Sequence, residues 1–418
     1  MLPRLPPSAP MAELPPSLTE LDRRLVAAAR SIKVLSKLTW PLDTAEAFLA
    51  AWRAGEPELP RVPAFAHDPS AELAELDSIL AACDRGHPLG DFLYRTAESY
   101  RTAAVMLANA GTSRFTECSI RLYGQPREFL SQGRATTLTA AEHLLAGTAK
   151  VAAEAHLSDA DYCIMPEHVA EEIRRATEPI LGAGRVQVVV DPELASKAAA
   201  GAQRIRIRGG TCFAKLDIPQ LIHHEALVHA LTALNGRAQP HLTCLGLGAP
   251  RTTRTQEGLA LFAEFITGSI DVVRLCRISA RVKGIDLALG GADFLDVFRF
   301  FLEVGQSEVE AYQSAGRVFR GGDVRGGVAF TKDVVYLRGF LGVHEFLLRE
   351  IQAGNYRYPH YLFAGRLCTE DVAALAPFFE SGLLAMPACE PPWIQSRPTL
   401  LAFLLYSGFA RELALAGS

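Results

Sequence analysis

The stretch His223–Gly236, HHEALVHALTALNG, decides how this chain is read. It places His224, Glu225 and His229 on an otherwise apolar helix in the pattern H-E-x-x-x-H. Two imidazoles on one helical face, with an acid beside the first, make a hydrolytic metal site: the histidines hold the ion and the glutamate takes a proton from water. The familiar spacing of such histidines is i, i+4, and here the second arrives one residue late. On a regular α-helix positions i and i+4 are about 40° apart, and i and i+5 about 140°. The spacing therefore predicts a π-bulge between Glu225 and His229, near Ala226–Val228, that restores convergence. The competing reading is an ordinary core helix that carries histidines. Ile222, Leu227, Val228, Leu231 and Leu234 make the surroundings core-like, and burying Glu225 among them without a cation is costly. A metal removes that objection. His223 falls on another face and reads as a packing histidine or one that supports the site.

The third ligand is expected from a later helix. RTTRTQEGLALFAEF, residues 251–265, supplies Glu257 in its first turn and Glu264 two turns on. Glu257 is the better ligand because it stands beside a loop able to approach the ion, although an acid at a positive helix terminus is favourable for its own sake. His224, His229 and Glu257 leave a fourth position open for water, the arrangement of a catalytic zinc site.

Outward from this helix the texture is mainly helical. A proline-rich arm over residues 1–16 precedes helical patterns over 17–180, and residues 181–418 form the expected zinc metallopeptidase domain. Strand patterns are confined to RVQVVVDPEL and QRIRIRGGTCFA, directly before the metal helix. The fold class is α+β, mainly α, with a small sheet inside a helical shell. RIRIR reads either as a sheet edge that accepts an extended peptide or as an edge protected by its charge.

Composition narrows the partners. Lys and Arg number 42 against 46 Asp and Glu, a net charge of −4, so the basic excess of a nucleic-acid binder is missing. The longest apolar stretch, PTLLAFLLYSGFARELALA, is broken by Ser407, Gly408 and Arg411 and does not read as a membrane span. Eight scattered cysteines without a C-x-x-C pair are read as reduced thiols in a cytoplasmic protein.

Two histidines from one helix and a glutamate from the next resemble the ligand set of gluzincin peptidases. The string Gln256-Glu257-Gly258-Leu259-Ala260 after this helix resembles the bacterial QEGLA-motif proteins labelled flavohemoglobin-expression-modulating. These are related to the microtubule-associated tyrosine carboxypeptidases, which share H-E-x-x-x-H followed by E-G-L-A. The similarity runs from about residue 75 to about residue 400 and includes FTECSIRLYGQP and FTKDVVYLRGFLGV. It implies a gluzincin-like fold, zinc held by His224, His229 and Glu257, and Glu225 as the catalytic base.

The expected reaction is hydrolysis of C-terminal residues of peptides or protein tails by a zinc-activated water, a metallocarboxypeptidase activity. The alternative is a zinc-containing but catalytically idle regulatory or peptide-binding protein; a purely structural zinc site has no need of Glu225. An exopeptidase needs a cation for the terminal carboxylate. Lys332 and Tyr336 share a helix face at i, i+4, and Arg338 follows them; Arg251 and Arg254 are weaker candidates by their loop position. A solvated face explains the same residues equally well.

Overall fold

The computed structural model describes residues 16–416 apart from 63, 64, 66, 131, 132, 134, 156–162 and 195. Residues 1–15, and with them nearly all of the expected proline-rich arm, lie outside the described residues; Pro16 opens the first helix, Pro16–Ala29. The fold is α+β and mainly α, as the patterning implies: long helices such as Pro88–Ala108, Val272–Leu289 and Val334–Gln352 surround one three-stranded sheet. The principal core draws on residues from both regions separated in the sequence, among them Leu25, Phe92, Ile205, Leu227, Phe262 and Leu404.

The sheet stands immediately before the metal helix. Its strands are β1 Gln187–Asp191, β2 Ala198–Ala200 and β3 Arg204–Arg208, in the order β1-β3-β2. β3 runs parallel to β1, with Val188 opposite Ile205, and antiparallel to β2, with Ala199 opposite Arg206. The period-2 alternation of RIRIR works as expected: Ile205 and Ile207 are fully buried while Arg204 and Arg206 are exposed. The edge reading is corrected, because β3 is the central strand and has partners on both sides. Its backbone is therefore unavailable to an incoming peptide.

A second correction concerns the cysteines. Cys83, Cys118, Cys244, Cys276, Cys368 and Cys389 are free, but Cys163 and Cys212 are joined by a disulfide across 49 residues of chain. The bond lies beside a two-way backbone bridge between Ile164 and Phe213, with N···O distances of 2.9 and 3.0 Å. Together they tie the approach to helix Pro166–Leu181 to the approach to the metal helix. From there Asp217 opens that helix, its carboxylate accepting hydrogen bonds from Ala214 N at 2.8 Å and Lys197 Nζ at 2.7 Å.

Helix Thr253–Ile266 crosses helix Val334–Gln352 in backbone contact. A Cβ on Gly258 would lie 2.2 Å from the carbonyl carbon of Gly339, and one on Gly339 would lie 2.1 Å from the carbonyl oxygen of Arg254. Only glycine at both positions permits this approach. It holds the Glu257 helix against the segment that carries Lys332 and Tyr336.

Candidate metal centre

The metal helix begins as α-helix over Asp217–Leu221, becomes π-helix over Ile222–Ala230 and returns to α-helix over Leu231–Arg237. The widened turn expected between Glu225 and His229 is present and extends over nine residues. In a π-helix the hydrogen bonds join i to i+5, so residues five apart come onto one face. His224 and His229 accordingly meet with ring centroids 4.8 Å apart and planes at 87°.

Glu257 completes the group. Its Oε2 lies 3.4 Å from His224 Nε2 and 3.5 Å from His229 Nε2, and the three donor atoms all fall within 4.8 Å of one another. The other carboxylate oxygen, Oε1, accepts a hydrogen bond from Lys332 Nζ at 3.2 Å. Oε2 is buried and makes no hydrogen bond. Two nitrogens and an orphaned carboxylate oxygen converging on one point fit a metal ion. Glu225, next to His224, is partly buried beside them.

The remaining bonds orient these donors. His224 Nδ1 lies 2.6 Å from Glu264 Oε1, and Arg274 grips Glu264 through Nη2 at 3.0 Å and Nε at 3.2 Å. Glu264, the acid passed over as a ligand, thus fixes which imidazole nitrogen faces the site. Its seven-residue spacing from Glu257, two helical turns on the same face, was the available signal. Arg366, which nothing in the sequence marked, donates from Nη2 to the carbonyl oxygen of His229 at 3.0 Å, satisfying an acceptor of the widened helix. Gln256 Oε1 accepts from Thr232 Oγ1 at 2.9 Å and ties the helix of His224 and His229 to the helix of Glu257.

The electrostatics suit a cation. Burial pushes the Glu257 carboxyl up, but Lys332, and then the His224 and His229 imidazoles beside it, hold it well below the usual carboxylate range. Burial pulls His224 down, and the neighbouring Glu257 carboxylate together with the hydrogen bond to Glu264 outweighs it, raising the imidazole to about 10. His223 is lowered, chiefly by burial, and its Nδ1 is buried with no hydrogen bond.

The candidate substrate residues separate. Lys332 and Tyr336 lie together beside the site, Lys332 Nζ standing 5.2 Å from the Tyr336 ring. Arg338 turns away and donates to Glu128 Oε1 at 2.8 Å. It lines a cavity of about 270 Å³ with Arg95, Arg121, Arg251 and Arg254. Arg251 is bidentate to Asp371 at 2.9 and 2.7 Å, and Arg254 is paired with Glu370. The sequence reading also missed Arg281, Arg317 and Arg320, which gather around Tyr336 and Asp333.

A search of curated proteins returns no match to the chain. A family model described as microtubule-associated tyrosine carboxypeptidase matches residues 46–412. That match takes in the metal helix, the Gln256–Ala260 string and the Lys332–Tyr336 segment, and the chain belongs to the microtubule-associated tyrosine carboxypeptidase family.

Proposed function

We propose that the protein is a zinc-dependent metallocarboxypeptidase that removes C-terminal residues from peptides or protein tails. The observation that carries this reading is the convergence of His224 Nε2, His229 Nε2 and the unbonded Glu257 Oε2, with Glu225 adjacent on the same widened helix. His224, His229 and Glu257 hold the zinc, a choice of metal supported by the two-imidazole, one-carboxylate donor set. When bound, zinc polarises the scissile carbonyl and acidifies water.

The chain's own groups supply the rest. Glu225 accepts the proton of the attacking water and passes it to the leaving amine nitrogen. Glu264 and Arg274 keep His224 in the tautomer that presents Nε2. Lys332 holds Glu257 Oε1, so that Oε2 remains the metal-facing oxygen. Lys332 and Tyr336, with the guanidinium groups around them, make the approach to the site cationic, which suits a terminal carboxylate. All of these groups lie within residues 181–418, the region we assign to peptidase chemistry. A cytoplasmic setting belongs to the same proposal and is supported by six free thiols beside the single disulfide.

The test is to measure metal content and to incubate zinc-loaded protein with a peptide library beside Glu225→Gln. Loss of a general base lowers the rate by roughly 10²–10⁴-fold. Retained zinc with cleavage lost only in the variant supports the mechanism. Equal cleavage by both proteins refutes the role of Glu225, and protein that takes up no metal refutes the whole reading.

A further inference from the structure

The metal helix carries one more carbonyl than it has backbone donors to serve. Its π-helical part ends where Leu231 N–H reaches back to the carbonyl oxygen of Ala226, shared with that of Val228. Its following α-helical part has Ala230 as N-cap, whose carbonyl oxygen takes the first i, i+4 bond, from Leu234 N–H. The carbonyls of Leu227, Val228 and His229 lie between, and only the N–H groups of Thr232 and Ala233 remain for them. The return from i, i+5 to i, i+4 bonding creates this surplus, and a buried carbonyl without a donor is costly. Ala226, Leu227, Val228 and Ala230 are all buried here, and side chains supply the missing donor.

Two side chains reach the place. Thr232 Oγ1 lies 2.7 Å from the carbonyl oxygen of Val228 and 3.4 Å from that of His229, but Gln256 Oε1, at 2.9 Å, competes for its single hydroxyl proton. Arg366 Nη2 donates to the carbonyl oxygen of His229 at 3.0 Å and is the dedicated donor. Burial lowers Arg366, and the nearby charges of Tyr100, Glu257 and Glu225 partly restore it, so it stands within the field of a metal-facing acid and of the acid beside His224. The segment that delivers it is fastened along the helix. Asn235 Nδ2 donates to the carbonyl oxygen of Phe363 at 2.8 Å, Gln239 Nε2 to that of Ala364 at 3.0 Å, and Arg366 N to that of Leu245 at 2.7 Å. Gly248 leaves room for the guanidinium, since a Cβ there would lie 2.5 Å from Arg366 Nη1.

We propose that Arg366 is a positioning residue that holds the metal helix in its π form and, through it, the late ligand His229. Without this donor, α-helical bonding through His229 removes the surplus carbonyl and leaves the two imidazoles about 140° apart. This rests on the metal site of the reading above and names the group that keeps it in register.

The experiment compares wild-type full-length protein with Arg366→Met, Arg366→Lys, Gly248→Ala and Gln239→Ala. It reads zinc affinity by chelator competition, the absorption spectrum of the cobalt-substituted protein, and thermal unfolding. Zinc affinity should fall about 10–100-fold in Arg366→Met, the usual effect of losing a group behind a ligand, and the cobalt spectrum should change. Arg366→Lys keeps a donor and should recover part of the loss. In Gly248→Ala the methyl meets only the end of a flexible side chain, so affinity should fall while the melting temperature stays close to that of the wild type. Gln239→Ala loosens the segment without touching His229 and should lower the melting temperature with affinity unchanged. A merely structural arginine would move affinity and melting temperature together in all four variants and leave the cobalt spectrum alone, which overturns the proposal. The crystal structure of metal-free Arg366→Met should show i, i+4 bonding through His229; an intact π-helix there also overturns it, whatever metal the protein takes up. Wild-type protein that cleaves no peptide, with zinc lost in Arg366→Met, keeps the positioning role and sinks the peptidase reading. Cleavage by zinc-loaded Arg366→Met with the π-helix intact does the reverse.

Discussion

His224 Nδ1 stands 2.6 Å from Glu264 Oε1, and that carboxylate is held in turn by both arms of Arg274. The imidazole therefore has one nitrogen committed to the protein and the other, Nε2, directed at Glu257. Glu264→Gln keeps the size of the side chain but gives up its charge and leaves Arg274 without a counter-ion. Metal affinity is expected to fall by about 10–100-fold, the usual effect of losing a carboxylate behind a histidine ligand. Chelator competition measures it, and unchanged affinity would show that Glu264 does not orient His224.

The Gly258–Gly339 crossing gives a sharper mechanical test. Gly258→Ala puts a methyl 2.2 Å from backbone atoms of Gly339, which no rotamer change relieves. The helices must part, at a cost of about 1–3 kcal/mol or more, and the separation draws Glu257 away from Lys332. Gly342, on the same helix, has open space where its Cβ would stand. Gly342→Ala should therefore stabilise the protein by about 0.5–1 kcal/mol. Thermal unfolding of the two variants should move in opposite directions; matching shifts would mean that the crossing is not the constraint.

What could be read from the sequence was what lies close together along it. H-E-x-x-x-H carries its own geometry, because a one-residue excess on a helix has a specific remedy, and the π-helix supplies it. Lys332 and Tyr336 do come together, but not on a shared helix face: the helix begins at Val334, and Lys332 stands in the turn before it. Arg338, two residues beyond Tyr336, is rotated by about 200° and faces away. The error about RIRIR arose because its second partner, Ala198–Ala200, has no β-branched residue and gave no strand signal. The Cys163–Cys212 pair spans two regions whose proximity depends on the tertiary fold. Arg281 lies far in the sequence from Arg317 and Arg320, and none of them belongs to a motif; only the packing of Val272–Leu289 and of Glu308–Phe319, which Arg320 directly follows, gathers them near Tyr336 and Asp333.

Acid should unfold the protein through its buried carboxylates. Burial pushes Asp333 up, but Arg317, and then Arg281, hold it well below the ordinary carboxylate range. Glu264 is likewise lowered, with Arg274 outweighing burial. A carboxyl lowered in the folded state gives stability that is full above its unfolded value near 4 and is lost as pH falls toward the folded value. Stability is thus expected to be level near neutrality and to decline below about pH 5. Asp333→Asn should cost about 3–5 kcal/mol at neutral pH by leaving Arg317 unpaired, and should flatten the acid slope. Denaturant melts at a series of pH values check both; an unchanged slope would exclude Asp333 as a contributor.

The Cys163–Cys212 bond offers a way to separate stability from the site. Cross-linking residues 49 apart restricts the unfolded chain, and opening such a loop costs about 2–4 kcal/mol. In the folded state the same junction is also held by the Ile164–Phe213 backbone bonds and by the fully buried Phe213 ring. The entry to the metal helix should therefore keep its place when the bond is removed. Cys212→Ser is expected to lower the unfolding free energy by that amount while metal affinity stays within about twofold, since the bond acts mainly on the unfolded state. Cys276→Ser, at a free and partly buried thiol, should change stability by no more than about 0.5 kcal/mol. A loss of metal affinity that parallels the loss of stability would instead make the disulfide a clamp on the π-helix, and the junction at Ile164 and Phe213 would then be too weak to position it alone.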